Sequence, residues 1–378
     1  MPPLTVLSDS VIQSLLSSLN RIEILKISET LAQALSEYST NAPSPGYASR
    51  YQPQRTGITS PTGHHTLFMP FTSATSIGSK TICVSPPSKS STSVQNTAPK
   101  GVITLLDTSG NATGLLNAEE LTAFRTSLSS MILYKSRKRT ENIVVFGAGK
   151  QALWHIRLAL LLRGPEIKKI TVVNRSANRS EELLKTLEKD DRARWESKVE
   201  FTALDPLLFG YWQRLEECLA DADVVFCCTP SPRPLFPARY LVGGEKLKKG
   251  CYVTAIGSHS ASMAELDPAI FTAVVESSGP GAFHPLGGEG GVIVVDSRKS
   301  CLLEAGEIIQ GKITGESLVD VGEIVALGED EREKAKEWLE SGFVIYKCVG
   351  IAVMDAAVAG DLVELARSKG VGVTIPKF

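Results

Sequence analysis

A strand, a glycine turn and a helix follow one another at residues 143–155, and this succession constrains the fold of the chain most. The apolar run 143–146 leads into Gly147-Ala148-Gly149 and then into a helical pattern, with Ala152 where a third glycine could stand. Glycines in such a turn permit the tight bend and let the backbone approach a pyrophosphate, which then lies at the helix N-terminus. The segment therefore predicts a dinucleotide-binding turn.

The next apolar run indicates which nucleotide is bound. Residues 170–173 end in Asn174-Arg175-Ser176. An acidic residue there would accept the ribose 2′-hydroxyl of NAD, whereas an arginine beside hydroxyl and amide groups suits a 2′-phosphate. Because this strand end carries no acid, the sequence favours NADP(H) over NAD(H). The alternative is that Arg175 and Arg179 are solvated cations at the start of a helix.

From residue 142 onward, strand-like and helix-like segments alternate, which predicts a doubly wound parallel sheet of the α/β class. The predicted strands are 143–146, 169–173, 199–202, 223–228, 252–256 and 292–295, and the predicted helices are 151–162, 180–189 and 206–219. The segment 222–230 has the form of a buried strand that ends at the cofactor-facing crevice. Thr229, near its end, is therefore a candidate nucleotide contact.

The rest of the chain mixes helical and strand-like patterns. Helical spacing covers residues 8–19, 22–38, 118–134 and 350–365, and strand-like pieces lie at 66–70, 80–85 and 101–106. The last of these helices is mostly small and apolar, so we expect it to pack on the first domain or on a partner. Two segments, 86–100 and 277–291, are polar or glycine-rich and are predicted to be loops.

Composition limits the partners and the compartment. A chain of 378 residues suggests two domains, and 40 basic against 41 acidic side chains give no reason to expect a nucleic-acid or membrane-surface partner. The seven cysteines are scattered without metal-ligand spacing, which predicts free thiols in a reducing compartment and no metal site. With neither a secretion signal nor a long apolar run in the sequence, we expect a cytoplasmic protein.

Three cations and one histidine are candidates for chemistry. Arg55 precedes a strand, Lys80 begins an apolar run, and Arg125 lies among small and apolar residues of a helix. Two converging guanidiniums would bind a carboxylate, and a desolvated lysine would have its pKa lowered toward proton transfer. His259 follows a strand of the doubly wound region, where such folds place active-site groups. Judged by pattern alone, each of these residues is more often a surface or structural residue.

Taken together and in order, several segments resemble the ornithine cyclodeaminase/mu-crystallin family over most of the chain. They are Gln-Pro-Gln-Arg-Thr with Arg55, His65 to Met69-Pro70, Ser79-Lys80, residues 121–126 with Arg125, residues 147–152, Val173-Asn174-Arg175-Ser176, residues 255–267, Val321-Gly322-Glu323-Ile324 and residues 347–352. Their order and spacing are far more specific than the glycine turn alone.

The resemblance implies a Rossmann-type doubly wound parallel sheet inserted into a second, α+β domain for substrate binding and dimerisation. On this reading residues 1–130 and 335–378 form the substrate-binding and dimerisation domain, and residues 131–334 form the Rossmann NAD(P)-binding domain. The resemblance also implies a homodimer.

The resemblance further assigns roles to individual residues. It makes Arg55 and Arg125 a clamp for a substrate carboxylate, and Lys80 the cation that handles a proton or orients the substrate. It places Gly147, Gly149, Gln151 and Ala152 under the pyrophosphate, and it matches Asn174 and Arg175 to the NADP-binding strand end of mu-crystallin-like members.

One departure from the family pattern bears on the reaction. Cyclodeaminases of the family carry an aspartate in the loop before a Glu-Leu pair, and this chain has His259 there, counted back from Glu265-Leu266. Histidine can exchange a proton near neutral pH, but it presents no fixed negative charge to an ammonium group. Cyclisation of ornithine is therefore the weaker expectation.

These observations support three hypotheses. The first is an NADPH-dependent reductase of the C=N bond in a cyclic or related α-imino acid, in which Lys80 or His259 serves the nitrogen proton. The second is a cyclodeaminase that oxidises ornithine or lysine on bound NAD, closes the ring and releases ammonia. The third is a non-catalytic binder of a nucleotide or small ligand. The presence of all three cations favours an enzyme, because a simple binder has less need of them.

Overall fold

A computed structural model describes residues 2–40, 52–85, 99–190, 194–195, 198–243, 249–276 and 282–378 of the chain. The two predicted loops fall partly outside these ranges, since residues 86–98 and 277–281 are not among them. Residues 282–291 are described, and they contain turns and bends as expected for a loop.

The described strands and helices alternate along most of the chain. The strands are β1 (Leu4–Leu7), β2 (Thr56–Thr59), β3 (His65–Thr72), β4 (Ser76–Val84), β5 (Lys100–Asp107), β6 (Ala112–Asn117), β7 (Asn142–Phe146), β8 (Lys169–Val173), β9 (Glu200–Leu204), β10 (Val224–Cys227), β11 (Cys251–Ala255), β12 (Ile293–Val295), β13 (Leu318–Asp320), β14 (Phe343–Lys347) and β15 (Val373–Ile375). The helices are α1 (Asp9–Ser18), α2 (Arg21–Ser39), α3 (Ala118–Tyr134), α4 (Lys150–Arg163), α5 (Ala177–Asp190), α6 (Tyr211–Asp221), α7 (Arg239–Val242), α8 (Pro268–Val275), α9 (Arg298–Glu304), α10 (Gly306–Gln310), α11 (Val321–Val325), α12 (Glu329–Ser341) and α13 (Ala352–Lys369).

The chain divides into two compact units. Unit 1 comprises Met1–Arg125 and Ile351–Phe378, and unit 2 comprises Thr126–Gly350. These units differ from the predicted domains at 126–130 and at 335–350, both of which lie in unit 2. The second difference corrects the predicted boundary, because strand β14 pairs in parallel with β11 and with β12 and so belongs to the sheet of unit 2.

Unit 2 contains an eight-stranded sheet in the order β13-β12-β14-β11-β10-β7-β8-β9. Every strand pair in it is parallel. The central strands are continuous runs of buried side chains such as Val224–Cys227 and Cys251–Ala255, as expected for a parallel sheet covered on both faces. The predicted Rossmann-type α/β fold is confirmed, and the carboxyl ends of β7 to β11 share one edge of this sheet.

Unit 1 contains a seven-stranded sheet in the order β15-β1-β6-β5-β4-β3-β2. Only the β1–β6 pair is parallel, so this is a mixed sheet of the α+β kind. On one face, direct cross-strand neighbours form the buried row Met69, Lys80, Ile103 and Leu116. A lysine in the middle of an apolar row needs a buried partner.

Helix α13 packs against β3, β4, β5 and β6 and against helix α2. Most of its residues from Ala352 to Ala366 are buried, which agrees with the prediction of a small, apolar helix that packs inside the protein. The helix ends at Gly370, whose φ of 65° is the left-handed conformation that glycine adopts at helix C-termini. The first turn of this helix carries a fully buried acid, Asp355.

Two local predictions are corrected. The helix expected from residue 206 begins at Tyr211, because Asp205 accepts the backbone N–H of Leu207 in a turn and Gly210, at a φ of 70°, precedes the helix. That turn leaves Leu207 and Phe209 exposed. Lys100, predicted to lie in a loop, is the first residue of β5, where it pairs with Cys83. Within the described residues, no helix combines the length and the apolar character needed to cross a membrane.

Candidate active site

In unit 1, Lys80 projects from β4 into the protein interior and is fully buried. Its Nζ donates to Oδ1 of Asp355 at 2.9 Å. Burial lowers the pKa of Lys80 to about 8, against the opposing effect of the Asp355 charge. The lysine is therefore charged at neutral pH but releases its proton more readily than an exposed lysine does.

Arg125 binds the same carboxylate. Its Nε lies 3.2 Å from Oδ1 of Asp355, and one terminal nitrogen lies 3.3 Å from Sδ of Met354. The guanidinium is almost fully buried, and its charge contributes to the lowered pKa of Lys80. The structure thus brings Lys80 and Arg125 together on one buried acid.

Arg55 lies just before β2 with its side chain partly exposed. It is near enough to Lys80 for its charge to lower the pKa of the lysine further, although less than burial and Arg125 do. Two of these cations contact Asp355 and the third lies near Lys80, so the three cations outnumber the carboxylate they surround. Such a cluster is suited to bind a small anion such as a carboxylate.

Asp355 is the functional candidate that the sequence analysis missed. It lies 275 positions from Lys80 along the chain, and both side chains are fully buried. Its second oxygen, Oδ2, is buried without a hydrogen-bond partner. The available signal was a single acid in the first turn of a helix of small apolar residues, which indicates a buried partner for a cation.

In unit 2, the turn after β7 has the geometry that a dinucleotide requires. Gly147 has a φ of 107°, and a Cβ there would lie 2.9 Å from the carbonyl oxygen of Cys228. Gly149 is the N-cap residue of α4 and makes no side-chain capping bond, and a Cβ there would meet no atom within 4 Å. The first N–H groups of the helix thus lie beside an open approach, which fits a pyrophosphate.

The other candidates of this turn differ in exposure. Ala148 and Gln151 are partly buried, whereas Ala152 is fully buried in the first turn of α4. A small residue at position 152 permits close packing of the helix on the sheet, which is the role expected of the third glycine of the motif. The residues of this turn therefore fit the pyrophosphate of a dinucleotide.

The strand end after β8 also lies at the carboxyl edge. The backbone N–H of Asn174 donates to Leu204 at the end of β9, and its side-chain amide donates to the carbonyl oxygen of Ser176 at 3.0 Å. Arg175 is exposed between them. The guanidinium is therefore accessible to a ligand at this edge.

Thr229 and His259 follow the neighbouring strands β10 and β11. A Cβ on Gly147 would lie 3.1 Å from Oγ1 of Thr229, so these two nucleotide candidates lie side by side. His259 is partly buried, with its Nδ1 3.3 Å from the carbonyl oxygen of Gly257. The structure thus places Gly147, Thr229 and the His259 loop on one edge of the sheet of unit 2.

A buried acid lies between these two loops. Glu265 is fully buried, and its carboxylate accepts the backbone N–H groups of Thr229 at 2.6 Å and Gly257 at 2.5 Å. Burial raises the pKa of Glu265 to about 7, although the nearby charge of Lys347 acts to lower it. In the sequence, Glu265 is only part of the family pattern, and no role was predicted for it.

In the ranges that the structure describes, no group of three His, Cys, Asp or Glu side chains has the arrangement of a metal site. The cysteines in those ranges are free thiols. The residues described above are suited to bind an anion and a nucleotide, and a buried lysine or a loop histidine could transfer a proton.

The chain is similar in sequence to known proteins. A family model described as the ornithine cyclodeaminase/mu-crystallin family matches residues 13–370. The Delta(1)-pyrroline-2-carboxylate reductase of Bacillus cereus is 25% identical over 364 residues, which are 93% of this chain and 95% of that protein.

Solved structures show the same fold. The Delta(1)-pyrroline-2-carboxylate reductase of Thermococcus litoralis, in complex with NADH and L-proline, has a TM-score of 0.71 at 20% identity and covers 98% of this chain and 100% of its own. An archaeal alanine dehydrogenase dimer with bound NAD has a TM-score of 0.70 at 20% identity, covering 100% of both chains.

Proposed function

The chain belongs to the ornithine cyclodeaminase/mu-crystallin family, and from this we propose that it is a nicotinamide-nucleotide-dependent reductase of the C=N bond of a cyclic imino acid. The observation that carries the proposal is the buried contact of Lys80 and Arg125 with Asp355, because it combines an anion-binding charge with a lysine of lowered pKa. A relative named for reduction of Delta(1)-pyrroline-2-carboxylate supports it.

The cations of unit 1 bind and orient the substrate. Arg125 and Arg55 hold the substrate carboxylate. Holding the carboxylate at two points also orients the neighbouring C=N bond for reduction. Asp355 keeps Arg125 and Lys80 in place, so the clamp is formed before the substrate arrives. Binding the substrate then costs little rearrangement.

Lys80 supplies the proton. Reduction breaks the π bond of C=N, forms a C–H bond at carbon and requires a proton at nitrogen. The bound nicotinamide supplies the hydride. Because burial lowers its pKa to about 8, Lys80 is protonated at neutral pH and is still an effective acid. His259 is the second candidate for this proton.

The nucleotide is NADP(H) on this proposal. Arg175 is exposed beside the Asn174–Ser176 contact, and the strand end carries no acid that would favour the ribose hydroxyl of NAD. A guanidinium at this position binds a 2′-phosphate.

The active assembly is a homodimer on this proposal, formed through the outer face of the sheet of unit 1. On that face, opposite to Lys80, two adjacent cross-strand rows carry no charged residue. The rows are Thr56, Phe68, Thr81, Val102 and Asn117, and Pro70, Ser79, Thr104 and Leu115. Phe68 and Leu115 are exposed there, at 38% and 36%. An uncharged sheet face of this width suits a second copy of the same surface.

The test is direct. Purified protein is incubated with NADPH or NADH and with 1-piperideine-2-carboxylate or 1-pyrroline-2-carboxylate, and the absorbance of the reduced nicotinamide is followed. Oxidation that depends on the imine supports the reductase. Ammonia release from ornithine or lysine without net nucleotide turnover would indicate a cyclodeaminase instead.

A Lys80→Met variant distinguishes an enzyme from a simple binder. It is expected to lose turnover and to retain nucleotide binding, because Lys80 lies in unit 1 and the nucleotide turn in unit 2. If the wild-type protein binds nucleotide but oxidises none with any of these imines, the reductase proposal is wrong.

A further inference from the structure

One buried carboxylate holds together the two loops that follow β10 and β11. Oε1 of Glu265 accepts the N–H of Thr229 at 2.6 Å, and Oε2 accepts the N–H groups of Gly257 at 2.5 Å and Ser258 at 3.3 Å. These strands are parallel neighbours, so their loops leave the sheet side by side. Each loop is bonded to a different oxygen of the same side chain.

The two loops are also in direct contact. A Cβ on Gly257 would lie 2.4 Å from the carbonyl carbon and oxygen of Thr229 and 2.6 Å from Oε1 of Glu265. No side chain fits at position 257 unless the loops separate. Glycine permits the approach, and the carboxylate holds it.

Below this contact lies a buried charge cluster that fixes Glu265 itself. Glu307 accepts the backbone N–H of Glu265 at 2.8 Å and the hydroxyl of Ser258 at 2.5 Å. Lys347 lies 3.2 Å from Glu307 and donates to the carbonyl oxygen of Ser258 at 2.8 Å. All four side chains are buried, so the cluster is a rigid base rather than a solvated surface.

We propose that Glu265 is a positioning residue for the nicotinamide nucleotide, acting through Thr229 and the Gly257–His259 loop. This inference rests on the proposed function, because it requires that unit 2 bind the nucleotide. Thr229 lies against Gly147 of the nucleotide turn, so the place of the Thr229 loop sets one wall of that site. His259 is two positions beyond Gly257, and its Nδ1 contacts the carbonyl oxygen of Gly257. The contact of Glu265 with Gly257 therefore also positions His259.

A carboxylate is required chemically. It accepts N–H groups at both oxygens, whereas the amide of glutamine accepts at only one and would direct N–H groups of its own toward one loop. A Glu265→Gln change preserves the side-chain volume but leaves only one oxygen to accept backbone N–H groups. The loop bonded to the lost oxygen is then free to move away from its neighbour.

The experiment measures nucleotide affinity without turnover. The dissociation constants of NADH and NADPH are determined by titration calorimetry for wild type and for Glu265→Gln. We expect Glu265→Gln to weaken both nucleotides about tenfold, the effect of losing one charge-assisted hydrogen bond. Both weaken alike because the loops do not distinguish the 2′-phosphate.

Asp223→Asn is the control. Asp223 is also a buried acid of unit 2, and it accepts the backbone N–H of Asn142 at 3.1 Å, but it lies just before β10, at the opposite end of that strand from Thr229. We expect this variant to lower the melting temperature and to leave the nucleotide dissociation constants within about twofold, since a distant site without a shared partner is not coupled to the loops.

A second measurement uses a folded protein without any change at Glu265. The titratable groups near its carboxylate are Lys347, Glu307, Cys227 and Cys228. Burial raises the pKa of both thiols well above the usual value, so the thiols are neutral. Because the pKa of Glu265 is about 7, NADH affinity should fall as pH is lowered through 7. The measurement is made in His259→Gln, so that the loop histidine does not contribute.

The outcomes separate the two proposals. If wild type binds neither nucleotide, the proposed function fails and this inference fails with it. If wild type binds nucleotide and Glu265→Gln binds it equally well, only the positioning role is overturned. If Glu265→Gln does not fold, the pH series decides: an NADH affinity of His259→Gln that does not change with pH also overturns the positioning role.

Discussion

Lys80 and Asp355 form a fully buried ion pair, with 2.9 Å between Nζ and Oδ1. Arg125 binds the same oxygen at 3.2 Å, so one acid holds two cations. Burial of an ion pair is not in itself stabilising, because desolvation offsets the attraction. The proposed carboxylate clamp gives this pair a use beyond stability, because its charges are already in place before the substrate binds.

The first prediction concerns Asp355→Asn. The change keeps the shape and leaves Lys80 and Arg125 without their buried counter-charge, so the free energy of unfolding should fall by about 3 kcal/mol. Displacement of the cations should reduce kcat/KM for the imine about 100-fold. Denaturant unfolding and steady-state kinetics check the two effects.

Asp361→Asn is the control for that change, because Asp361 lies on the same helix and is only partly buried. It should leave kcat/KM unchanged. In a double-mutant cycle, Lys80→Met should relieve part of the cost of Asp355→Asn; strict additivity would contradict the coupling of the two residues.

The second prediction is a pH dependence of activity. If protonated Lys80 supplies the proton, kcat/KM for imine reduction should fall as pH rises above about 8, the pKa of Lys80. Lys80→Arg should remove this limb of the profile, because a guanidinium does not titrate there. If kcat/KM of the wild type does not change from pH 7 to pH 10, the proton comes from another group. This range of about three pH units is wide enough to detect the titration of one group.

The lowered pKa of Lys80 also predicts how the free energy of unfolding changes with pH. The folded protein holds the Lys80 proton less tightly than the unfolded chain does, since burial lowers the pKa from 10.5 to about 8. Relative to Lys80→Met, wild type should therefore gain stability as pH rises from about 8 to 10.5, where the unfolded chain binds more protons. Below pH 8 the difference should be constant.

The third prediction separates the two glycines of the nucleotide turn. Gly147→Ala should lower stability by about 1–3 kcal/mol, because a φ of 107° and a contact at 2.9 Å oppose a Cβ. Gly149→Ala should fold normally, since nothing lies within 4 Å of its Cβ position, and should weaken NADH binding about tenfold by obstructing the pyrophosphate. Unfolding curves and nucleotide titrations distinguish the two. Equal stability of both variants would disprove the assigned packing.

The fourth prediction concerns Arg175→Ala. Loss of a charge-assisted bond to a 2′-phosphate should weaken NADPH binding about 10-fold to 100-fold and leave NADH binding unchanged. Arg179→Ala, which also removes an exposed arginine in this segment, serves as the control and should change neither affinity. An equal loss for both nucleotides in Arg175→Ala would contradict a 2′-phosphate contact.

The fifth prediction concerns the assembly. The double change Phe68→Lys and Leu115→Lys places charges on the uncharged outer face of the sheet of unit 1 and should convert the dimer to a monomer in light scattering. Leu207→Lys adds the same charge at a residue that is 92% exposed in unit 2 and should leave the dimer intact. A monomeric wild type would refute this interface.

Local sequence patterns were sufficient for six of the eight strands in the sheet of unit 2, and β13 and β14 were not predicted. Apolar runs that alternate with helical patterns indicate parallel strands, because both faces of such a sheet are covered. Errors occurred where the local pattern was ambiguous. The turn at 206–210 was predicted as helix because its apolar residues resemble a helical face. Residues 335–350, which contain β14, were predicted in the other domain, because the pairing of β14 with β11 and β12 joins distant parts of the chain.

The candidate site divides in the same way. The sequence by itself indicated the glycine turn and the strand end at Asn174–Ser176, and it singled out Arg55, Lys80 and Arg125 as candidates, because turn conformation and residue type are local properties. Only the tertiary structure decided that Lys80 faces the buried side of its sheet, that Asp355 neutralises part of its charge, and that Glu265 joins the loops of Thr229 and Gly257. The physical reason is that a buried charge needs a partner within hydrogen-bond distance, and packing, not sequence separation, selects it.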